Sequence, residues 1–360
     1  MTAIRSTRSA AHRGELLASL LAGSWRSQVS PSAITASQLA SILPLLLEGR
    51  MAGLSWRRIR EIPLAASEDG HKLQSARRIQ AAAALRQEAE VVEVLGLEEM
   101  NQADPILAKG YAAGRLYPEQ GLRPYTDIDL FVRPERYDSV VQALRRRRTS
   151  DPVWSTDIDL QDQWLDLPGR AWDELYSHSR LVPERGRQIR VLGPEDALRL
   201  SCLHFCRHGG SNPVWLCDVG ALIENLPSDF DWAYCLKGDR RHAGWMVSVM
   251  QLANQLLRAT LPVDLGDRVA VPIPSWMMTA VLRRWGHLAT FKREQRVPVR
   301  TILKTNLRGL PRALVIRWPS PLESVCELSW PIRSYSGMAA QAVVYARRAV
   351  TWPARQVAMN

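Results

Sequence analysis

The chain has 360 residues, 46% of them hydrophobic and 23% charged. That supplies apolar material for a real core in two or three domains and excludes a disordered chain. No apolar run nears the ~18 residues of a membrane span, and the start "MTAIRSTRSAAHR" lacks the apolar centre of a secretory leader. The net charge of +11 is uneven: residues 271–360 hold 14 Lys/Arg against 3 Asp/Glu, so the first 270 residues are neutral. The five cysteines (Cys202, Cys206, Cys217, Cys235 and Cys326) are odd in number and show no CxxC spacing, which predicts reduced thiols in a cytoplasm.

Residues 1–100 read as helices. "SQLASILPLLLEGRMAGL" and "HKLQSARRIQAAAALRQEAEVVEVLGL" place apolar residues at helical spacing, and the segment predicts a packing layer without chemistry. The pattern changes at 104. "DPILAKG" predicts a short buried strand closed by glycine, "YAAGRLY" one or two helical turns, and "PEQGLRP" a loop. "DIDLFV" is a second strand, "PERYDSVVQALRRRR" a helix with Pro in its first turn, "WSTDIDLQDQW" a third strand and "RQIRVLG" a fourth. Residues 101–192 thus predict an α+β module. Helical patterning resumes at "GPEDALRLSCLHFCRHGG", where Pro194, two acids and terminal glycines mark the helix ends. A helical domain is expected over 193–270 and a basic helical region over 271–360.

The pentapeptide TDIDL stands at 126–130 and again at 156–160. In a strand, residues i and i+2 share a face. Asp127 and Asp129 therefore project together while Ile128 and Leu130 enter the core, and Asp157 and Asp159 do the same in the second copy. Two adjacent carboxylates call for a positive partner, and a divalent metal such as Mg²⁺ suits hard oxygen donors. The bland alternative is an exposed edge strand with solvated acids. Upstream, Gly110 follows the apolar strand and Lys109. A glycine there lets backbone approach a ligand, and a helix start offers N–H groups to phosphate.

Strand, Lys-Gly, helix, loop, then a strand with DxD resembles the DNA polymerase β-like nucleotidyltransferase superfamily. More narrowly, "ILAKGYAAGRLYPEQGLRPYTDIDLFV" is similar to a bacterial family of uncharacterised nucleotidyltransferases, through Lys109, Gly110, Tyr117-Pro118, Arg123, Asp127 and Asp129. Asp159-Leu160, Gly193-Pro194-Glu195-Asp196, His204 with His208, and Trp215 with Asp218 extend the likeness over roughly 70–240. Gln161 stands where the family has histidine, Trp164 is displaced, and Gly110-Tyr111 replaces the superfamily's Gly-Ser. The resemblance implies a polymerase-β-like α+β core between helical segments. It also implies transfer of a nucleoside monophosphate from an NTP, with two Mg²⁺ ions held by Asp127, Asp129 and a third carboxylate. Family register favours Asp159 over Asp157 for the third. Lys109 and Arg123 are expected to hold the triphosphate.

His204 and His208 lie four apart on one helix face and are expected to border the nucleotide cleft or to bond Asp218. With Cys202 and Cys206 they spread over several faces and do not predict zinc. Arg296, Arg300, Lys304, Arg308 and Arg312 recur every four residues, broken by Pro298 and Pro311. They could meet nucleic acid, but the neutral first 270 residues favour a small-molecule or peptide hydroxyl as acceptor. Two other readings stand beside the enzyme: a binding protein that keeps the fold without turnover, supported by Gln161 and the missing serine, and a nucleic-acid binder using the basic end.

Overall fold

The computed structural model describes residues 2–150, 157–163, 166–287 and 318–357. The fold is α+β. Its strands are β1 (Ile106–Ala108), β2 (Asp127–Phe131), β3 (Asp157–Gln161), β4 (Arg180–Glu184) and β5 (Arg187–Val191). They form one mixed sheet in the order β3-β2-β1-β5-β4. β2 runs antiparallel to β1 and parallel to β3, and β5 runs parallel to β1 and antiparallel to β4.

The helices are α1 (Thr2–Leu21), α2 (Ala36–Glu48), α3 (Ala52–Ile59), α4 (Glu68–Val94), α5 (Glu98–Ala103), α6 (Lys109–Gly114), α7 (Tyr137–Ser150), α8 (Trp172–His178), α9 (Pro194–Arg207), α10 (Pro213–Glu224), α11 (Trp232–Cys235), α12 (Arg240–Leu257), α13 (Ser275–Trp285), α14 (Pro321–Glu327) and α15 (Met338–Val357). Among the described residues no helix is long and apolar enough to cross a membrane. The Arg296–Arg312 series lies outside the described residues.

The period-two pattern of the DIDL strand decides which face does what. Leu107, Ile128, Leu130 and Ile189 bury against Val91 and Val94 at the end of α4, Met100 of α5 and Val140 of α7. On the other face Ile106, Ala108 and Phe131 pack with Leu167, Trp172 and Leu175, and with Leu200 of α9. Asp127 and Asp129 alternate with the first set, so they point to the second face. α7 is the crossover that makes β2 and β3 parallel, as a parallel pair requires.

β4 has no counterpart among the strands expected from sequence. "RLVPE" reads poorly as a strand because of Pro183 and its charged ends. It forms because Arg185 and Gly186 take φ of 45° and 80°, the primed turn that closes a two-residue hairpin onto β5.

The helical segments on either side of the module share one hydrophobic core. Leu17, Leu20 and Trp25 near the N-terminus pack with Leu39, Ile42, Phe205, Leu216, Met250 and Trp285. α1 and α13 approach backbone to backbone. A Cβ on Gly14 would overlap the Leu282 carbonyl, and one on Gly286 would overlap that of Ala10. Gly14→Ala is therefore expected to cost about 1–3 kcal/mol, since neither helix backbone can yield. Urea unfolding checks this; no change in midpoint would mean the helices are not in such contact.

Candidate active site

Register, rather than sequence distance, assembles the acidic face. Asp129 of β2 pairs with Ala108 of β1 on one side and with Asp159 of β3 on the other, and Asp127 pairs with Asp157. In-register neighbours on parallel strands project to the same face, so Asp127, Asp129 and Asp159 form one corner. Asp129 lies deepest, at 4% exposure. Asp127 and Asp159 are half-buried, and Asp157 is exposed at the rim with Arg148 at 3.9 Å. The geometry thus sets Asp159 beside Asp129 and leaves Asp157 nearer solvent.

Lys109 sits at the end of β1 with φ 47°, a strained left-handed conformation for a residue with a side chain. Its Nζ meets Asp129 Oδ1 at 2.7 Å. Burial drives the Asp129 pKa up to about 6; Lys109 opposes this, and the charges of Asp127 and Asp159 add to it. Thr126 Oγ1 donates to Asp127 at 3.1 Å. Gln161 Nε2 donates to Asp159 Oδ2 at 2.7 Å and orients that carboxylate.

Three carboxylates with no sulfur suit a hard divalent ion in donor chemistry. Among the described residues no group of three or more His, Cys, Asp or Glu side chains is gathered ready to hold a metal. Lys109 and Gln161 each engage one of the three acids instead. The buried, crowded Asp129, with its ionisation disfavoured beside two like charges, is still the feature expected where a cation belongs.

Arg123 and Gly110 differ from their sequence expectations. Arg123 is 8% exposed and grips Asp218 of α10 in a fork: Nη2–Oδ2 is 2.7 Å, and Nε is 3.1 Å from both oxygens. Tyr117 Oη donates to Asp218 Oδ1 at 2.8 Å. Burial works against the charge of Arg123, but Asp218 holds its pKa above the ordinary value. That guanidinium ties the loop before β2 to α10 and is no open phosphate clamp. Gly110 is needed for the same reason. A Cβ there would stand 2.7 Å from Arg123 Nη1 and 2.8 Å from Tyr125 Cβ, so an arginine and a tyrosine, not a ligand, fill the place of its side chain. The six residues of α6 are also too few to sum a large helix dipole.

His204 and His208 lie on the same side of α9, with rings 4.3 Å apart, and both pack against Trp215. His204 Nδ1 meets Asp166 Oδ2 at 2.9 Å, whereas Asp218 is engaged by Arg123 and Tyr117. A carboxylate only accepts, so Nδ1 carries the hydrogen. Arg207 Nη2 reaches the other Asp166 oxygen at 2.8 Å. Burial would raise Asp166, but the bond and charge of His204, with Arg207 and Lys109, hold it below the usual carboxylate range. Burial, then the charges of His204, Arg207 and Lys109, lower the His208 pKa, and the Asp166 carboxylate opposes them. The charge of Lys109 reaches both groups.

Asp166 was missed from sequence. It lies in a loop, 38 residues from His204, and no motif joins the two.

No curated protein and no solved structure matches the chain. Residues 36–255, more than half of the chain and inclusive of every side chain of the acidic corner, match the family described as uncharacterised nucleotidyltransferase, and the chain belongs to that family.

Proposed function

We propose that the protein transfers a nucleoside monophosphate from an NTP to a hydroxyl of a small-molecule or peptide acceptor. The acceptor oxygen bonds to the α-phosphorus, the bond to the β-phosphate oxygen breaks, pyrophosphate leaves, and the hydroxyl proton passes to a carboxylate. The observation that carries this reading is the in-register pairing of Asp129 with Asp159, with Asp127 on the same face. Asp127, Asp129 and Asp159 would hold Mg²⁺, which when bound supplies charge neutralisation at the reacting phosphate.

This chain's own groups do the positioning. Lys109 presents an ammonium next to Asp129 and is the nearest candidate for a β- or γ-phosphate contact once the acid has another cation. Asp159, held by Gln161 and half-exposed, is placed to take the acceptor proton. The Arg123–Asp218–Tyr117 cluster fixes the loop that leads into β2. His204, steadied by Asp166, and His208 offer a wall of rings for a base or sugar.

Equilibrium binding of ATP, CTP, GTP and UTP tests the reading. At least one should bind, about tenfold or more weakly without Mg²⁺, and Lys109→Met should weaken it similarly. Indifference of every nucleotide to Mg²⁺, or no binding at all, would contradict it. The Gln161–Asp159 bond favours one rival, a nucleotide-binding protein without turnover; it expects tight NTP binding and no pyrophosphate.

A further inference from the structure

The two edges of the sheet differ. In the order β3-β2-β1-β5-β4 the terminal strands are β3 and β4. β4 is guarded: Pro183 has no N–H to offer, its carbonyl accepts from Arg115 Nη2 at 2.8 Å, and Arg115 also holds Glu184 beside it. β3 has none of these devices. Its five residues, DIDLQ, include no proline, glycine or lysine, and all five pair in register with β2. Among the described residues no strand pairs with its other side. Burial follows the same division. Ile128 and Leu130 of β2 are 0% and 1% exposed, whereas their register partners Ile158 and Leu160 are only half-buried.

An open edge strand is a template for one more strand. This one also carries a group of the candidate site. Residues side by side on paired strands project to the same face, with Cβ atoms about 5 Å apart. A residue set opposite Asp159 would therefore present its side chain beside that carboxylate. Its two chain neighbours would turn to the other face and cover the open flanks of Ile158 and Leu160. The residue opposite Asp157 would meet an exposed acid at the rim, which Arg148 at 3.9 Å offsets only weakly.

We propose that the acceptor is a peptide segment that adds to the outer edge of β3 as a sixth strand and brings a serine or threonine hydroxyl to Asp159. The assignment rests on the nucleotidyl-transfer reading above. In the step the hydroxyl oxygen bonds to the α-phosphorus of the NTP, the bond to the β-phosphate oxygen breaks, pyrophosphate leaves, and the hydroxyl proton passes to Asp159. Main-chain hydrogen bonds to β3 hold the segment, and its alternate side chains select it. Those opposite Ile158 and Leu160 are apolar, and the one opposite Asp157 is basic. The acid at the rim also works against acidic segments.

The probe is the peptide acetyl-Lys-Val-Ser-Val-Lys-amide, whose sequence reads alike in both directions and so fits parallel or antiparallel addition. Calorimetric titration of the full chain with Mg²⁺ and a non-hydrolysable NTP analogue should show binding. With the natural NTPs, mass spectrometry should find one nucleoside monophosphate on the serine. N-methylating either the two valines or the serine and lysines removes the main-chain donors from one side of the strand. One pattern should weaken binding about tenfold or more, and the other should leave it within about threefold. Asp157 is exposed, so Asp157→Lys should fold normally. It should bind the lysine peptide about threefold or more weakly and prefer acetyl-Glu-Val-Ser-Val-Glu-amide, without losing nucleotide affinity. Equal effects of the two methylation patterns would overturn strand addition, as would nucleotide binding without peptide binding. Peptide binding with no nucleotidylated serine, while a small hydroxyl compound is nucleotidylated, sinks the acceptor assignment alone. Failure of every nucleotide to bind sinks the transfer reading and the assignment with it.

Discussion

Asp218→Ala is expected to destabilise the protein by about 3–5 kcal/mol, because it strands a buried guanidinium. Arg123 and Asp218 are 8% and 4% exposed, and the fork between them is the chief polar contact linking the loop before β2 to α10. Removing the acid leaves Arg123 its bond to the neighbouring Pro124 carbonyl at 2.8 Å and leaves the Tyr117 hydroxyl without its acceptor. Arg123→Met with Asp218→Leu should recover much of the loss, since replacing both partners by apolar groups avoids an unpaired buried charge. Chemical unfolding of the three proteins reads this. A cost below about 1 kcal/mol for Asp218→Ala, or a double variant no better than the single, would mean the pair is not buried as described.

The second large effect is a reversal of the usual rule that site mutations destabilise. Asp129 has a pKa raised to about 6, against an unfolded value of 3.8. The folded state therefore holds its proton more tightly than the unfolded state. Stability from this group is present below about pH 4 and is lost as pH rises to about 6. A shift of this size corresponds to about 2–3 kcal/mol. In metal-free protein, Asp129→Asn should gain on the wild type by about that amount between pH 4 and pH 7. Melting temperatures of both proteins in EDTA across that range check the sign. A variant that loses ground as pH rises would show that Lys109, not burial, controls Asp129.

The acidic strand was legible because its chemistry is local. Alternation alone assigns Asp127 and Asp129 to one face and Ile128 and Leu130 to the other, and Leu130 and Ile128 are indeed almost wholly buried. The choice between Asp157 and Asp159 needed register, which is a property of two strands and their connection. Arg123 shows the limit more sharply. An arginine four residues before DIDL was expected to hold a triphosphate, and the ion pair it makes with Asp218, 95 residues on, has no signal in the local sequence. Gly110 was expected to let the backbone approach a nucleotide, whereas the atoms that stand where its Cβ would be belong to Arg123 and Tyr125. Asp166 carried no signal at all, since its meaning comes from His204 and Arg207 on a helix that sequence places far away. The β4 hairpin was hidden by Pro183, while the Arg-Gly pair that makes its turn was there to be read.

One measurement bears most directly on the central claim that Asp127, Asp129 and Asp159 form a nucleotidyl-transfer site. Wild type, Asp129→Asn and Asp159→Asn are incubated with each NTP, Mg²⁺ and hydroxyl-bearing acceptors, and pyrophosphate release is followed. The wild type should release pyrophosphate with at least one NTP. Both variants should fall by roughly a thousandfold, about 4 kcal/mol of lost transition-state stabilisation, while remaining folded. Equal release by wild type and Asp129→Asn would contradict the account.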